Sequence, residues 1–256
     1  VTAPRVFCVR ATAPYACWTN PALTAERFSY PVPTPVGLEG VLKSVFWRKG
    51  LRYQIQSIGI CAPIRRHLLR RNEIDHTPRA DASTGFNGDR YAVQRMTSRL
   101  KDVDYRVEFV LDLDDGYRDR SLLMKCEAML SRYLDRGHCF QQPFFGCREM
   151  VGDVRWAETS DPTPIAETRP LGRMIYGYIW DNARNRRDVV LEYEPHLDHG
   201  VVHVPPRGEV LRLNGVARPG VATPHPPAHP RRPRARPGTR PAGRSHLPTR
   251  SKGTAA

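Results

Sequence analysis

Two kinds of side chain in this 256-residue sequence are spaced so that they could do chemistry: clustered cations, and the aromatics set among them. Arg70-Arg71-Asn72-Glu73 forms one cluster, Arg95, Arg99 and Lys101 a second, and Arg148-Glu149 a third, just after Gly146-Cys147. Trp47 stands beside Arg48-Lys49, and Phe144-Phe145 leads into the third cluster. Cations hold phosphates and aromatic faces stack bases, so the combination suits single-stranded or hairpin RNA. A solvated loop would account for the same arginines, and core packing for Trp47 and Phe144-Phe145. Lys125-Cys126 also has two readings. In one, Lys125 is a surface residue on a core-packed helix and Cys126 is core. In the other, Lys125 sits on the rim of a sheet and stabilises a phosphorane. No GxxxxGK[ST], HExxH or GxSxG occurs, so motif-borne nucleotide, metalloprotease and hydrolase sites have no support and no cofactor is expected. Cys8, Cys17, Cys61, Cys126, Cys139 and Cys147 form no CxxC pair and no zinc-like spacing. No metal site is expected, and the thiols read as reduced and mostly buried, as in a cytoplasmic protein.

The formal charge of +14 points first to a polyanion partner. Nine of the cations and no acid lie from Ala217 onward, and removing those nine leaves +5 on the rest. The body is therefore mildly basic. No signal peptide and no apolar run near 18 residues appears, which argues against secretion and membrane spanning. The start at Val1 fits a non-standard start codon or a trimmed chain equally.

The stretch that organises the chain is RFSYPVPTPVGLEGVLKSVFWRK, Arg27 to Lys49. Its three prolines exclude helix over Tyr30–Pro35. Val36, Leu38, Val41, Leu42, Val45 and Phe46 then recur at helical spacing, with Thr34 and Pro35 as the start. Val6–Val9 suits a buried strand, and Tyr15, Cys17 and Trp18 a β-favourable, irregular stretch. Leu51, Tyr53 and Ile55 alternate, and Ile58 and Ile60 resume one step out of phase, which predicts a strand with a bulge. Ala62 to Gly88, with its arginines, Pro63, Pro78 and Gly85, reads as an excursion from the sheet, flexible over 75–90. Tyr105, Val107, Phe109, Leu111 and Leu113 mark a half-buried antiparallel strand. Asp119 to Arg136 is a second helix with Leu122, Cys126, Met129, Leu130 and Tyr133 on one face and a stop at Gly137. A strand is expected from Cys147.

That order predicts an α+β fold: a ferredoxin-like (RRM-like) βαββαβ domain over residues 1–158. Three further extended segments, Arg173–Trp180, Asp188–Glu194 and Gly200–Val204, predict an appended small antiparallel β-sheet within 159–215. Residues 216–256, rich in Pro, Arg, His and Gly, cannot bury enough apolar surface to fold. They read as a disordered extension or out-of-frame translation of GC-rich DNA, with a basic nucleic-acid-binding tail as the competing reading.

Taken together, the segments resemble the Dvulg-subtype Cas-five proteins of type I-C CRISPR systems, members of the repeat-associated RNA-binding superfamily. The resemblance rests on YACWTNP (15–21), the Arg27–Lys49 stretch, Pro63-Ile64-Arg65 with RRNE (70–73), QRMTSRLKDVDYRVE (94–108), RGHCFQQPFFGCREM (136–150) and LGRMIYGYIWD (171–181), in the family's order and spacing. It covers roughly residues 1–205.

The resemblance implies a ferredoxin-like domain with a small C-terminal sheet. It also implies an endoribonuclease that cuts the CRISPR repeat transcript (pre-crRNA) at the hairpin base without metal. The crRNA 5′ handle is then retained, with other subunits of the type I-C interference (Cascade) complex as partners. Such cleavage needs an activated 2′-hydroxyl, a stabilised phosphorane and a protonated 5′-oxygen, and gives a 2′,3′-cyclic phosphate. The family's catalytic set is a Tyr just before the Trp that ends the first helix, and a Lys-His pair in the second helix. At the matching positions this chain has Phe46, Lys125 and Cys126, so only Lys125 agrees. Tyr53 or His67 would be stand-ins for the missing groups. RNA contacts are expected from Arg70, Arg71, Arg95, Lys101 and Arg148, and the resemblance places Tyr30 and Trp47 at the RNA cleft. A non-catalytic subunit that holds the 5′ handle is the alternative, and a cytosolic DNA-binding or small-molecule protein with the same core is the third reading.

Overall fold

The computed structural model describes residues 4–23, 26–74, 88–117, 119–181, 186–206, 212–213 and 216–217. One long strand organises it. β5 (Ala92–Leu113) runs 22 residues and takes partners along both edges. On one edge lies β1 (Val6–Ala16), antiparallel, from Val6 opposite Val110 to Ala16 opposite Leu100. On the other lies β3 (Leu51–Ile60), from Leu51 opposite Leu113 to Ile60 opposite Tyr105. The register shifts between Ile55 and Ser57, where the sequence placed a bulge.

The first half of β5 carries a second hairpin partner, β4 (Arg65–Ile74), from Arg65 opposite Lys101 to Ile74 opposite Ala92. This corrects the expected excursion, because the cationic segment is a ladder strand for ten residues. Neither of its faces is fully buried, so no apolar alternation marked it. Residues 75–87, in the part expected to be flexible, lie outside the described residues, and Gly88–Tyr91 forms a short 3₁₀ turn. The two-residue β2 (Arg27–Phe28) lies parallel to β5, with Arg27 opposite Thr97 and Phe28 opposite Ser98.

Helix α1 spans Pro35–Val45. Thr34 caps it by accepting from the Gly37 N–H at 3.1 Å, and Pro35 occupies the first turn, where no N–H is needed. Leu38, Val41, Leu42 and Val45 are buried along one stripe. Helix α2 spans Arg120–Asp135, capped by Asp119, with Cys126, Leu130 and Leu134 inward and Gly137 at φ +63° beyond its end. The helices touch one another. α1 packs on β3, and α2 on β5 and on β6 (Asp153–Trp156). β6 pairs with β1 and starts at Asp153, not at the expected Cys147. Residues 147–150 form a turn instead, closed by the Met150 N–H on the Cys147 carbonyl.

The main sheet thus includes the antiparallel run β6-β1-β5-β3. It continues from β3 through β11 (Val201–His203) and β10 (His196–Asp198) to β7 (Arg169–Pro170). The last of the three extended segments therefore pairs with Ser57–Gly59 of β3. The other two, β8 (Met174–Asp181) and β9 (Arg186–Tyr193), form a separate hairpin sheet with β12 (Arg212–Leu213) and β13 (Val216–Ala217). Residues 218–256, and so most of the basic tail, lie outside the described residues. The core includes Phe7, Val9, Phe109, Tyr105, Phe145 and Leu130. Phe7 stacks on Phe109 at 5.5 Å, and Trp18 packs against Phe145 at 5.8 Å. No helix among the described residues is long and apolar enough to cross a membrane.

Candidate nucleic-acid interface

Of the positions matched to the family's catalytic set, Phe46 ends α1 and Lys125 and Cys126 lie on α2, and they present little chemistry. Phe46 terminates the helix with its ring buried, 5.5 Å from the Tyr133 ring. Its carbonyl accepts from the buried Tyr53 hydroxyl at 2.5 Å. Burial, with Cys126 and Glu39 nearby, pushes that phenol's pKa up, so Tyr53 is a structural donor and not a ready base. Cys126 is 1% exposed, and burial raises its thiol despite the opposing charge of Arg48. A neutral, enclosed thiol neither takes nor gives the proton that an imidazole would. Lys125, one residue earlier, is exposed. Of the three positions, only this one offers its functional group to a ligand.

Trp47 follows Phe46 and turns outward. Its ring lies 6.1 Å from that of Phe140, which is also exposed. Phe140 is held there because its N–H bonds the Val45 carbonyl and the Gln141 N–H bonds the Ser44 carbonyl, which ties the segment after α2 to the end of α1. Exposed Arg48 and Lys49 adjoin this aromatic pair, an arrangement suited to bases and phosphates. Tyr30, expected at the cleft, is instead 8% exposed, and its hydroxyl accepts from the Ile175 backbone. Its ring belongs to the core, because the proline arm folds inward over Val32. Phe145 is likewise fully buried.

The ribbon of β4 and β5 gathers the expected cations on both of its faces. On one face, Arg27 bonds Glu149 at 3.0 Å, Arg71 bonds Glu149 at 2.8 Å and Glu73 at 2.7 Å, and Arg95 lies 3.7 Å from Glu73. Arg71 and Arg95 are therefore partly neutralised in a lattice of mutual ion pairs. Further along the same face, Arg99 lies 3.4 Å above the Tyr15 ring and donates to Nδ1 of His67 at 3.2 Å. The Nδ1 lone pair of His67 is therefore occupied by Arg99. Lys101 and Arg65 face each other in the next row, both exposed. Arg148 is exposed on the 147–150 turn, and Arg70 is exposed on the other face of the ribbon.

Cys147 sits among the ion pairs. Arg27 donates to its sulfur at 3.7 Å, and the neighbouring Cys17 thiol, with Arg27, lowers its pKa. Gly146 makes this contact possible. Its φ is +89°, and a Cβ there would lie 1.9 Å from the Cys17 carbonyl oxygen.

Sequence reasoning gave no site role to Phe28, Tyr15 or Phe140, and took Arg66 only as one member of a cationic cluster. Phe28 was hidden inside a motif read for its prolines. The others come together only through strand pairing, and Arg66-Leu68-Arg70 was the one available local signal, a period-2 repeat of cation and aliphatic.

Residues 6–215 match the family model Cas_Cas5d, described as CRISPR-associated protein (Cas_Cas5). The chain is 30% identical over 213 residues to a Mannheimia succiniciproducens protein named CRISPR pre-crRNA endoribonuclease Cas5d, across 75% of this chain and 91% of that protein. It is 37% identical over 142 residues to a Thermus thermophilus protein of the same name, across 55% of this chain and 59% of that protein. A solved structure titled Crystal Structure of CRISPR-associated Protein aligns with a TM-score of 0.61 at 20% identity, covering 82% of this chain and 97% of its own, a likeness of fold.

Proposed function

The chain belongs to the Cas5d family of CRISPR-associated proteins, and from that premise we propose that it is a metal-independent endoribonuclease acting on CRISPR repeat transcripts. It cuts pre-crRNA at the hairpin base and keeps the 5′ handle within a cytoplasmic type I-C interference complex. The observation that carries the proposal is the 30% identity across 91% of a protein named for that activity. The strand order β6-β1-β5-β3, with α1 and α2 as crossovers, supports a ferredoxin-like RNA-binding unit within residues 1–158. Residues 159–215 are an appended unit that makes the β8–β9 sheet and sends β10 and β11 back to the main sheet. Lys125 supplies the charge that stabilises the phosphorane. Arg70, Lys101, Arg148 and Trp47 hold the RNA, with Arg71 and Arg95 shaping the ribbon between them.

A second reading, a non-catalytic subunit that caps the 5′ handle, is favoured by one observation. Phe46 and Cys126 are both enclosed, and neither carries the acid–base group expected at its position. A denaturing gel of the repeat RNA from the array beside the gene, incubated with protein in EDTA, separates the two. Cleavage to a 2′,3′-cyclic phosphate supports the enzyme. Tight binding without cleavage supports the cap, and equal affinity for hairpin RNA and duplex DNA of the same length removes both.

A further inference from the structure

Between β2 and the ribbon, on the face away from the ion-pair lattice, lies an open pocket of about 530 Å³ whose lining includes Glu26, Phe28, Leu68, Met96 and Ser98. Three strands build its floor in register, with Phe28 opposite Ser98 and Ser98 opposite Leu68. Phe28 is 41% exposed and Leu68 64%, an unusual amount of apolar surface to leave in water. The surroundings are cationic. Strand alternation puts Arg66, Leu68 and Arg70 on one face, so a guanidinium stands on either side of the apolar position. Arg66 lies 4.4 Å over the Phe28 ring and is held by the Ser29 carbonyl at 2.9 Å and the Ser98 hydroxyl at 3.3 Å. No carboxylate pairs with Arg66 or Arg70 among the described residues.

An apolar slot with an aromatic wall, bracketed along one strand by two cations, is complementary to a flat ring whose chain continues as an anion on both sides. We propose that this pocket takes one unstacked nucleobase of the bound RNA, lying against Phe28 and Leu68, with Arg66 and Arg70 on the flanking phosphates. This rests on the reading of the protein as an RNA binder, and adds a base-selective subsite that the family motifs do not mark. Glu26 places a carboxylate in the lining, an acceptor for an exocyclic amine, so the slot favours a base that carries an amino group. Splayed bases on aromatic walls are how single-stranded RNA is read by sequence.

The test is a double-mutant cycle in filter binding at fixed salt. The probes are the repeat RNA from the neighbouring array and the same RNA with an abasic residue walked through its single-stranded positions. One abasic position is expected to weaken wild-type binding about 5- to 140-fold, the worth of one stacked base. Phe28→Ala weakens intact RNA by the same factor, adds nothing to the abasic loss, and Phe28→Tyr restores it. Uracil at that position mimics part of the loss, and Glu26→Gln erases the difference. Phe28 is surface-exposed, so an unchanged melting temperature checks that the variant is folded. Equal affinity of Phe28→Ala and wild type for intact RNA, or losses that multiply independently, overturns the proposal and leaves the RNA-binding reading standing. That second pattern is also what a slot for a neighbouring protein's side chain would give. Wild-type protein that does not prefer repeat RNA over duplex DNA overturns both.

Discussion

Lys125→Ala isolates chemistry from folding better than any other single change at this site. The side chain is exposed one residue before core Cys126, and its charge acts on the exposed cap Asp119. Loss of an exposed side chain without a buried partner moves stability by about 0.5 kcal/mol or less, or about 1–2 °C in a chain of this size. Binding loses at most one phosphate contact, which lowers the slope of log affinity against log salt by about 0.7. Cleavage is different. A group that stabilises charge developing on the phosphorane is worth about 10²–10³ in rate when removed. Single-turnover cleavage of repeat RNA in EDTA, with protein in excess, reads that step alone. The expected pattern is a fall of about two to three orders of magnitude with near-native melting and near-native affinity. Lys125→Arg keeps the charge and recovers part of the rate. Cleavage that persists at the wild-type rate in Lys125→Ala refutes the assignment and moves the active site elsewhere. Loss of binding in parallel with cleavage would make Lys125 a contact, not a stabiliser of the transition state.

Phe46→Tyr adds back the hydroxyl at the end of α1, and cleavage rises if a phenol is wanted there. With the Phe46 ring packed on Tyr133, a small loss of melting temperature with no gain in rate would mean this edge only packs. Asp161 is held at about 2 by the Arg155 hydrogen bonds, the Glu158 N–H and the charges of Arg155 and Arg10. Its stabilisation is complete above the ordinary carboxylate value near ~3.9 and is lost as pH falls through about 2, so wild type should melt above Asp161→Asn at neutral pH and converge with it in acid. Cys147, whose pKa is lowered by the Cys17 thiol and then by Arg27, should be alkylated at neutral pH well before Cys17, and Arg27→Ala should slow it, read by peptide mapping with iodoacetamide. Gly146→Ala must force a positive φ and a clash with the Cys17 carbonyl, so it should lower stability by roughly 3 kcal/mol in denaturant unfolding.

Helix α1 was legible because its signals are local: Thr34 and Pro35 at its start, then a stripe of aliphatics of which Leu38, Val41, Leu42 and Val45 are buried. The bulge in β3 was legible for the same reason, since a change of phase between Ile55 and Ile58 is visible within one strand. The strand Arg65–Ile74 was not, because its order comes from a ladder to Ala92–Lys101 and not from a buried face. Cross-strand contacts such as Arg99 to His67, and Arg71 to Glu73 two residues along, replace hydrophobic alternation there, and pairing of that kind leaves no periodicity to read. Val201–His203 fails differently. Its hairpin with His196–Asp198 is marked by turn residues, but the choice of β3 as its outer neighbour depends on Gly59 and Ser57, some 140 positions away in the chain.

The site divides along the same line. Binding depends on charge and exposure, and the cations named from sequence do lie on one ribbon or on the turn beside it, though Arg71 and Arg95 are tied to Glu73 and Glu149. Catalysis depends on which atom stands at one position and how dry it is. At the end of α1 the dryness works against it: the same packing of Leu42, Val45 and Phe46 that makes the helix readable encloses Phe46 and Cys126 in apolar surroundings. A thiol there stays protonated, and a phenyl ring there has nothing to donate. In the proposed cleavage, the 2′-hydroxyl is activated by geometry and by the charge of Lys125 more than by a dedicated base. The rate should then rise with pH as the 2′-hydroxyl ionises, without the plateau near neutrality that an imidazole base imposes. A flat profile above pH 7 in wild type, abolished by His67→Ala, would show that a histidine acts after all.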